Sequence, residues 1–144
     1  MGRLHTHFVV PGEPQGKARA RTYYNPKTGH SVSHTPDNTA LYENLIKMHY
    51  QNDSGVVFGD VPLSVVIRAY FRAAKSTPKG KLSDMLHGRI FPTKKPDSDN
   101  IAKVVLDALN GLAYLDDKQV VHLEIYKLYG EYPRIEVEIE TLEK

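Results

Sequence analysis

Between residues 101 and 112 the apolar side chains Ile101, Val104, Val105, Ala108, Leu109 and Leu112 recur at steps of three and four, the spacing that gathers them into one stripe of a helix. A helix of this kind is stable only against an apolar surface, so the rest of the chain has to supply a sheet or a second helix to cover it. Pro96 disfavours an earlier start and Gly111 lies near the expected end. The other face carries Asn100, Lys103, Asp107 and Asn110, with Asp97 and Asp99 at the entrance and Asp116 and Asp117 on the turn beyond.

The remaining elements supply that surface. HTHFVV (5–10) reads as a strand ended by Pro11 and Gly12, and residues 12–33 as a loop or loose hairpin whose basic edge holds Lys17, Arg19, Arg21 and Lys27 with Tyr23 and Tyr24. Thr35 as a cap and Pro36 at the first helical position predict a helix from 36 to about 52, with Leu41, Leu45 and Met48 as its stripe. Residues 61–71 are rich in β-branched and aromatic types and predict a strand. Residues 72–96 hold seven basic residues, one acid and three prolines, a composition expected to form a mobile basic loop. QVVHLEIYKLY and RIEVEIETL predict a hairpin across 130–133, with Ile135, Val137 and Ile139 facing the core. The order predicts a single α+β domain over residues 1–144, a mixed β-sheet with two main helices.

The length of 144 residues suits one core. The net charge of +2 conceals an asymmetry: residues 1–96 carry 14 Lys and Arg against 6 Asp and Glu, or +8, while residues 97–144 carry 5 against 11, or −6. A basic first part suits a polyanionic partner, and an acidic second part suits cation chemistry. Cysteine is absent, which excludes disulfides and thiolate metal sites. The start MGRLHTHFVV lacks the pattern of a signal peptide and no stretch is long and apolar enough for a membrane span, so a cytoplasmic protein is expected.

Two aspartates separated by one residue of extended chain project to the same side and can reach one cation. At a rise of about 1.5 Å per residue, Lys103 stands roughly 6 Å up the helix from Asp99 and Asp107 roughly 12 Å, so Asp107 is expected to pair with Lys103 or face water. Asp116 or Asp117 could complete a site for Mg²⁺ if the following strand lies beside the helix entrance. Plainer readings exist for each residue: Asp99 as a helix cap, Asp116 and Asp117 as a turn pair, Lys103 as a solvated lysine. His5 and His7 share one side of a strand and lack a third ligand, Tyr23 and Tyr24 suit packing or base stacking, and Phe91 a loop anchor or a wedge.

PDSDNIAKVVLDALNGLAYLDDKQVV resembles the signature of the RusA-type Holliday junction resolvases: D-x-D-N, a lysine four residues after the second Asp, D-A-L, and a turn into D-D-x-Q-V. GEPQGKARART and TPDNTALYEN resemble the amino-terminal pattern of phage-borne members. The resemblance implies a Mg²⁺-dependent, homodimeric bacterial DNA endonuclease that resolves four-way junctions by paired nicks. It implies Asp97, Asp99 and Asp117 as metal-binding carboxylates and Lys103 as a catalytic lysine. Ser98 departs from the apolar residue common between the two aspartates, and residues 72–95 form a longer basic segment than in compact members. Lys17, Arg19, Arg21, Arg72, Lys79, Lys81 and Lys95 are the expected contacts to DNA phosphates. The competing expectations are a non-catalytic DNA-binding protein and a metal-dependent nuclease for flaps or single strands.

Overall fold

Four strands, β1 (His5–Pro11), β4 (Leu63–Phe71), β5 (Val120–Tyr129) and β6 (Arg134–Thr141), form a mixed sheet in the order β1-β6-β4-β5. A separate antiparallel pair joins β2 (Arg21–Asn25) to β3 (His30–His34). The helices are α1 (Asp37–Asp53), α2 (Lys79–Leu86) and α3 (Ser98–Leu109). The structure is a computed structural model and describes residues 3–18, 21–34 and 37–142. The expected α+β class, single domain and mixed sheet are all present, and the loose hairpin after β1 is β2–β3. Thr35 and Pro36, expected to open the first helix, lie outside the described residues.

β6 occupies the centre beside β4, and its strict alternation follows from packing on one face: Ile135, Val137 and Ile139 are fully buried while Glu136, Glu138 and Glu140 point the other way. The buried side receives α1 and α3. Ile101, Val104, Val105 and Leu109 of α3 join Ile46 and Tyr50 of α1 and the inward residues Val65, Ile67, Phe8 and Val10 in one core. Each fully buried aliphatic side chain contributes about 1.5 to 3 kcal/mol relative to exposure. The outward face is charged: Arg68 pairs with Glu138, Arg134 with Glu136, and His5 and His7 lie 3.8 and 3.7 Å from Glu138 and Glu136.

Three expectations are corrected. The last two strands are not a hairpin: β5 pairs with β4 in parallel and β6 pairs with β4 in antiparallel on its other side. The chain therefore crosses over the end of β4, where Gly130 N donates to Phe71 O at 3.0 Å and a Cβ on Gly130 would stand 3.2 Å from Tyr70 Cβ. Second, α1 buries Thr39, Tyr42, Ile46 and Tyr50, with Leu45 packed at the margin, while Leu41 and Met48 are exposed. Third, residues 72–96 are not all loop, because Leu82, Met85 and Leu86 have helical spacing in α2 and Met85 is buried. Pro78 and Pro92 flank that helix instead of interrupting it, and the segment is fastened to β5 where the Lys127 ammonium donates to the Lys94 carbonyl.

A divided acidic site on helix α3

The parallel pairing of β4 and β5 dictates where the acids fall. α3 and the turn after it form the crossover between these strands, so α3 has to run back along the sheet before β5 begins. Asp97 and Asp99 consequently stand at its entrance, and Asp116 and Asp117 on the turn that follows it.

At the entrance Asp97 occupies the N-cap position with extended backbone (φ −69°, ψ 151°), and its carbonyl accepts from Ile101 N at 3.1 Å. Its carboxylate makes no capping hydrogen bond. Asp99 lies in the exposed first turn, where a negative charge complements the helix dipole. The capping role considered for Asp99 therefore falls at Asp97, and there only the backbone serves it. Neither carboxylate has a hydrogen-bond or ion-pair partner among the described residues.

Midway along α3, Lys103 Nζ is 3.6 Å from Asp107 Oδ2, the pairing expected from their i, i+4 spacing. The same oxygen is 3.3 Å from Lys17 Nζ, which also bonds Glu43 Oε2 of α1 at 2.9 Å. Lys17 is largely enclosed. Burial would lower its pKa, but the two carboxylates outweigh burial and raise it, so the ammonium stays charged. Lys103 by contrast projects outward, with 62% of its side chain exposed.

At the far end, Gly111 adopts φ +73°, a left-handed conformation that suits glycine, and turns the chain out of the helix. Asn110 Oδ1 accepts from the Asp117 amide at 2.8 Å and fixes the return. Asp116 caps the short 3-10 turn Asp117–Gln119 by accepting from Lys118 N at 2.9 Å. Buried Gln119 accepts from the amides of Leu115 and Asp116 and donates to the carbonyls of Gly59 and Val61, which anchors the acidic turn to the body of the domain. The hydrogen bond to the Lys118 amide lowers the Asp116 pKa. Asp117 is pushed up by burial, then by the hydrogen bond and charge of Asp116 and the charge of Asp107, with Lys103 opposing. The two neighbours thus divide their work: Asp116 spends its carboxylate on the turn, and Asp117 keeps a crowded one.

The structure brings Lys103, Asp107, Asp116 and Asp117 into one electrostatic neighbourhood. Asp97 and Asp99 stand earlier on the helix, at its N-cap and in its first turn. No group of three or more His, Asp or Glu side chains among the described residues encloses a metal ion. By donor chemistry the acids still fit a hard cation, since every candidate ligand is a carboxylate and the entrance pair has no other partner.

A feature that sequence reasoning missed lies beside Asp97. The segment 14–18, expected only as part of a basic edge, packs along α3 and forms one wall of a cleft of about 520 Å³ whose opposite wall includes Lys95, Pro96, Asp97 and Asn100. The signal was Gly16: a Cβ there would stand 2.9 Å from the Cβ atoms of both Asn100 and Pro96, so only glycine permits this approach. Of the expected DNA contacts, Arg72, Lys79, Lys81 and Lys95 are exposed, Lys17 is turned inward to its two carboxylates, and Arg19 and the side chain of Arg21 lie outside the described residues. Phe91 is exposed, and His5 and His7 face glutamates across the strands.

The chain is similar in sequence to known proteins. "Uncharacterized protein YqaN" of Bacillus subtilis (strain 168) is 34% identical over 134 residues, which cover 92% of this chain and 93% of the relative. The family described as Endodeoxyribonuclease RusA matches residues 11–140, and the chain belongs to that family.

Proposed function

We propose that this protein is a Mg²⁺-dependent endonuclease that resolves four-way DNA junctions by paired phosphodiester hydrolysis in the bacterial cytoplasm. The observation that carries the reading is the entrance of α3, where Asp97 sits at the cap position with its carboxylate unspent and Asp99 stands beside it without a partner. Uncompensated carboxylates so close repel one another, and a bound divalent cation removes that cost.

Asp97 and Asp99 of one chain and Asp117 of a second chain are the metal-binding set in this proposal. No three acids among the described residues gather around one metal position, which supports that division, and so do the exposed apolar side chains of Leu115, Val121 and Leu123, which flank the acidic turn and suit burial against a second copy. A two-fold dimer has two such sites, as symmetric cuts in a two-fold junction require. When bound, Mg²⁺ supplies a Lewis acid for a phosphate oxygen and acidifies a bound water. Lys103 extends its ammonium from the outer face of α3 to stabilise charge that develops on the scissile phosphate. Asp107 lies 3.6 Å from that ammonium and orients it, and Lys17 in turn holds Asp107. Arg72, Lys79, Lys81 and Lys95 grip the DNA arms through phosphates, so binding is salt-dependent and largely indifferent to sequence.

The test is incubation of the purified protein with labelled four-way junction, duplex and flap DNA, each with Mg²⁺ and with EDTA. Paired nicks in the junction alone, lost with EDTA, are expected. Binding without cleavage would identify a DNA-binding protein, and preferred cutting of the flap a different nuclease.

A further inference from the structure

We propose that the cleft between residues 14–18 and the start of α3 is a subsite that receives the nucleotide next to the cut and reads its base. The inference rests on the nuclease reading above and adds the determinant of cut-site preference.

The cleft measures about 520 Å³, within the range of roughly 300 to 1,000 Å³ typical of small-molecule sites. Asp97 forms part of its wall, so a group lodged there lies against the proposed metal-binding acids. Lys95 stands exposed at the same opening and offers a cation for the nucleotide's phosphate. Pro14 and Pro96 give apolar surface on which a sugar or base ring can pack.

The reading groups are carboxamides. Gln15 and Asn100 both line the cleft, and neither side chain makes a hydrogen bond within the described residues. A carboxamide presents a donor and an acceptor side by side, the arrangement that pairs with a base edge offering the complementary two. Asn38, also in the lining, uses its oxygen on the Thr39 amide at 3.0 Å and keeps its NH₂. The walls are held before any ligand arrives: Lys17 N donates to Asn100 O at 2.8 Å, and Gly16 lies against Asn100 and Pro96 without room for a side chain. A site held in this way discriminates without first having to order itself.

The experiment uses a set of four-way junctions with mobile cores that present all dinucleotides at the crossing, cut by the full-length protein with Mg²⁺, with the product ends sequenced. Wild type is expected to favour a subset of sites. Gln15→Ala and Asn100→Ala should each flatten that preference at one nucleotide position by roughly five-fold or more, the discrimination carried by one good base contact. A merely structural role would lower cutting at every site in proportion and leave the distribution unchanged. Lys95→Ala should slow cutting at all sites without redistributing it. If Asn100→Ala fails to fold in a thermal melt, Gln15→Ala, on an exposed loop position, decides alone. A wild-type distribution in both variants, or no preference in wild type, overturns the subsite and leaves the nuclease reading intact. A wild type that cuts no branched DNA overturns both.

Discussion

Lys17 separates two readings of the basic amino-terminal segment. As a DNA contact it would be expendable for folding, whereas here its ammonium joins Glu43 of α1 to Asp107 of α3. The three side chains are 21%, 18% and 23% exposed, between the surface regime, where an ion pair contributes about 0 to 1 kcal/mol, and the buried one, where removing one partner costs about 3 to 5 kcal/mol. Lys17→Met leaves two enclosed carboxylates uncompensated and should cost about 2 kcal/mol, or about 7 °C in melting temperature for a domain of this size. Adding Glu43→Gln removes one of the orphaned charges and should restore part of that loss. The assay is a thermal melt of wild type, Lys17→Met and the double variant, beside junction binding across a salt series. An unchanged melting temperature, together with a salt slope flattened by about 0.9 in Lys17→Met, would refute the reasoning and return Lys17 to the DNA.

Asp117, whose pKa is raised in the folded state, binds a proton more readily folded than unfolded, so it lowers stability as pH rises above the ordinary aspartate value of 3.8. Asp117→Asn should therefore be as stable as wild type or more so at neutral pH in melts without metal, with the difference closing below about pH 4; a variant less stable at pH 7 would contradict this. Lys103→Met should lower the single-turnover cleavage rate on the order of 100-fold or more while junction affinity changes little, and wild-type rates at saturating DNA and Mg²⁺ would remove it from catalysis. Replacing Arg72, Lys79, Lys81 and Lys95 together by Ala should weaken binding to junction, duplex and flap alike, and flatten the salt dependence by about 0.9 per lost phosphate contact, as read by titration at several salt concentrations.

What was legible in the sequence was whatever one periodicity could specify alone. The alternation at 135, 137 and 139 and the stripe from Ile101 to Leu109 belong to a strand and a helix that each bury one face, where no second pattern competes. α1 carries two stripes one position apart. Leu41 and Met48 look the more apolar, yet Tyr42 and Tyr50 are buried, because a tyrosine ring fills core volume; the Tyr50 hydroxyl donates to the Val56 carbonyl. Four turn residues between two strands read as a hairpin, because nothing in residues 130–133 shows that β4, from earlier in the chain, comes to lie between the two strands. The pairing of Lys103 with Asp107 was legible from their i, i+4 spacing.

The central claim is that the acids of one chain complete a metal site only with those of another, and mixing two inactive variants tests it most directly. Asp99→Asn and Asp117→Asn should each fail to cut a four-way junction with Mg²⁺. Mixed and allowed to exchange subunits, they form heterodimers in which one site carries both substitutions and the other carries none, so the mixture should regain nicking of one strand. If the three aspartates of a single chain served one ion, each subunit of the heterodimer would keep its own defect, and a mixture as inactive as either variant alone, beside an active wild type, would contradict the account.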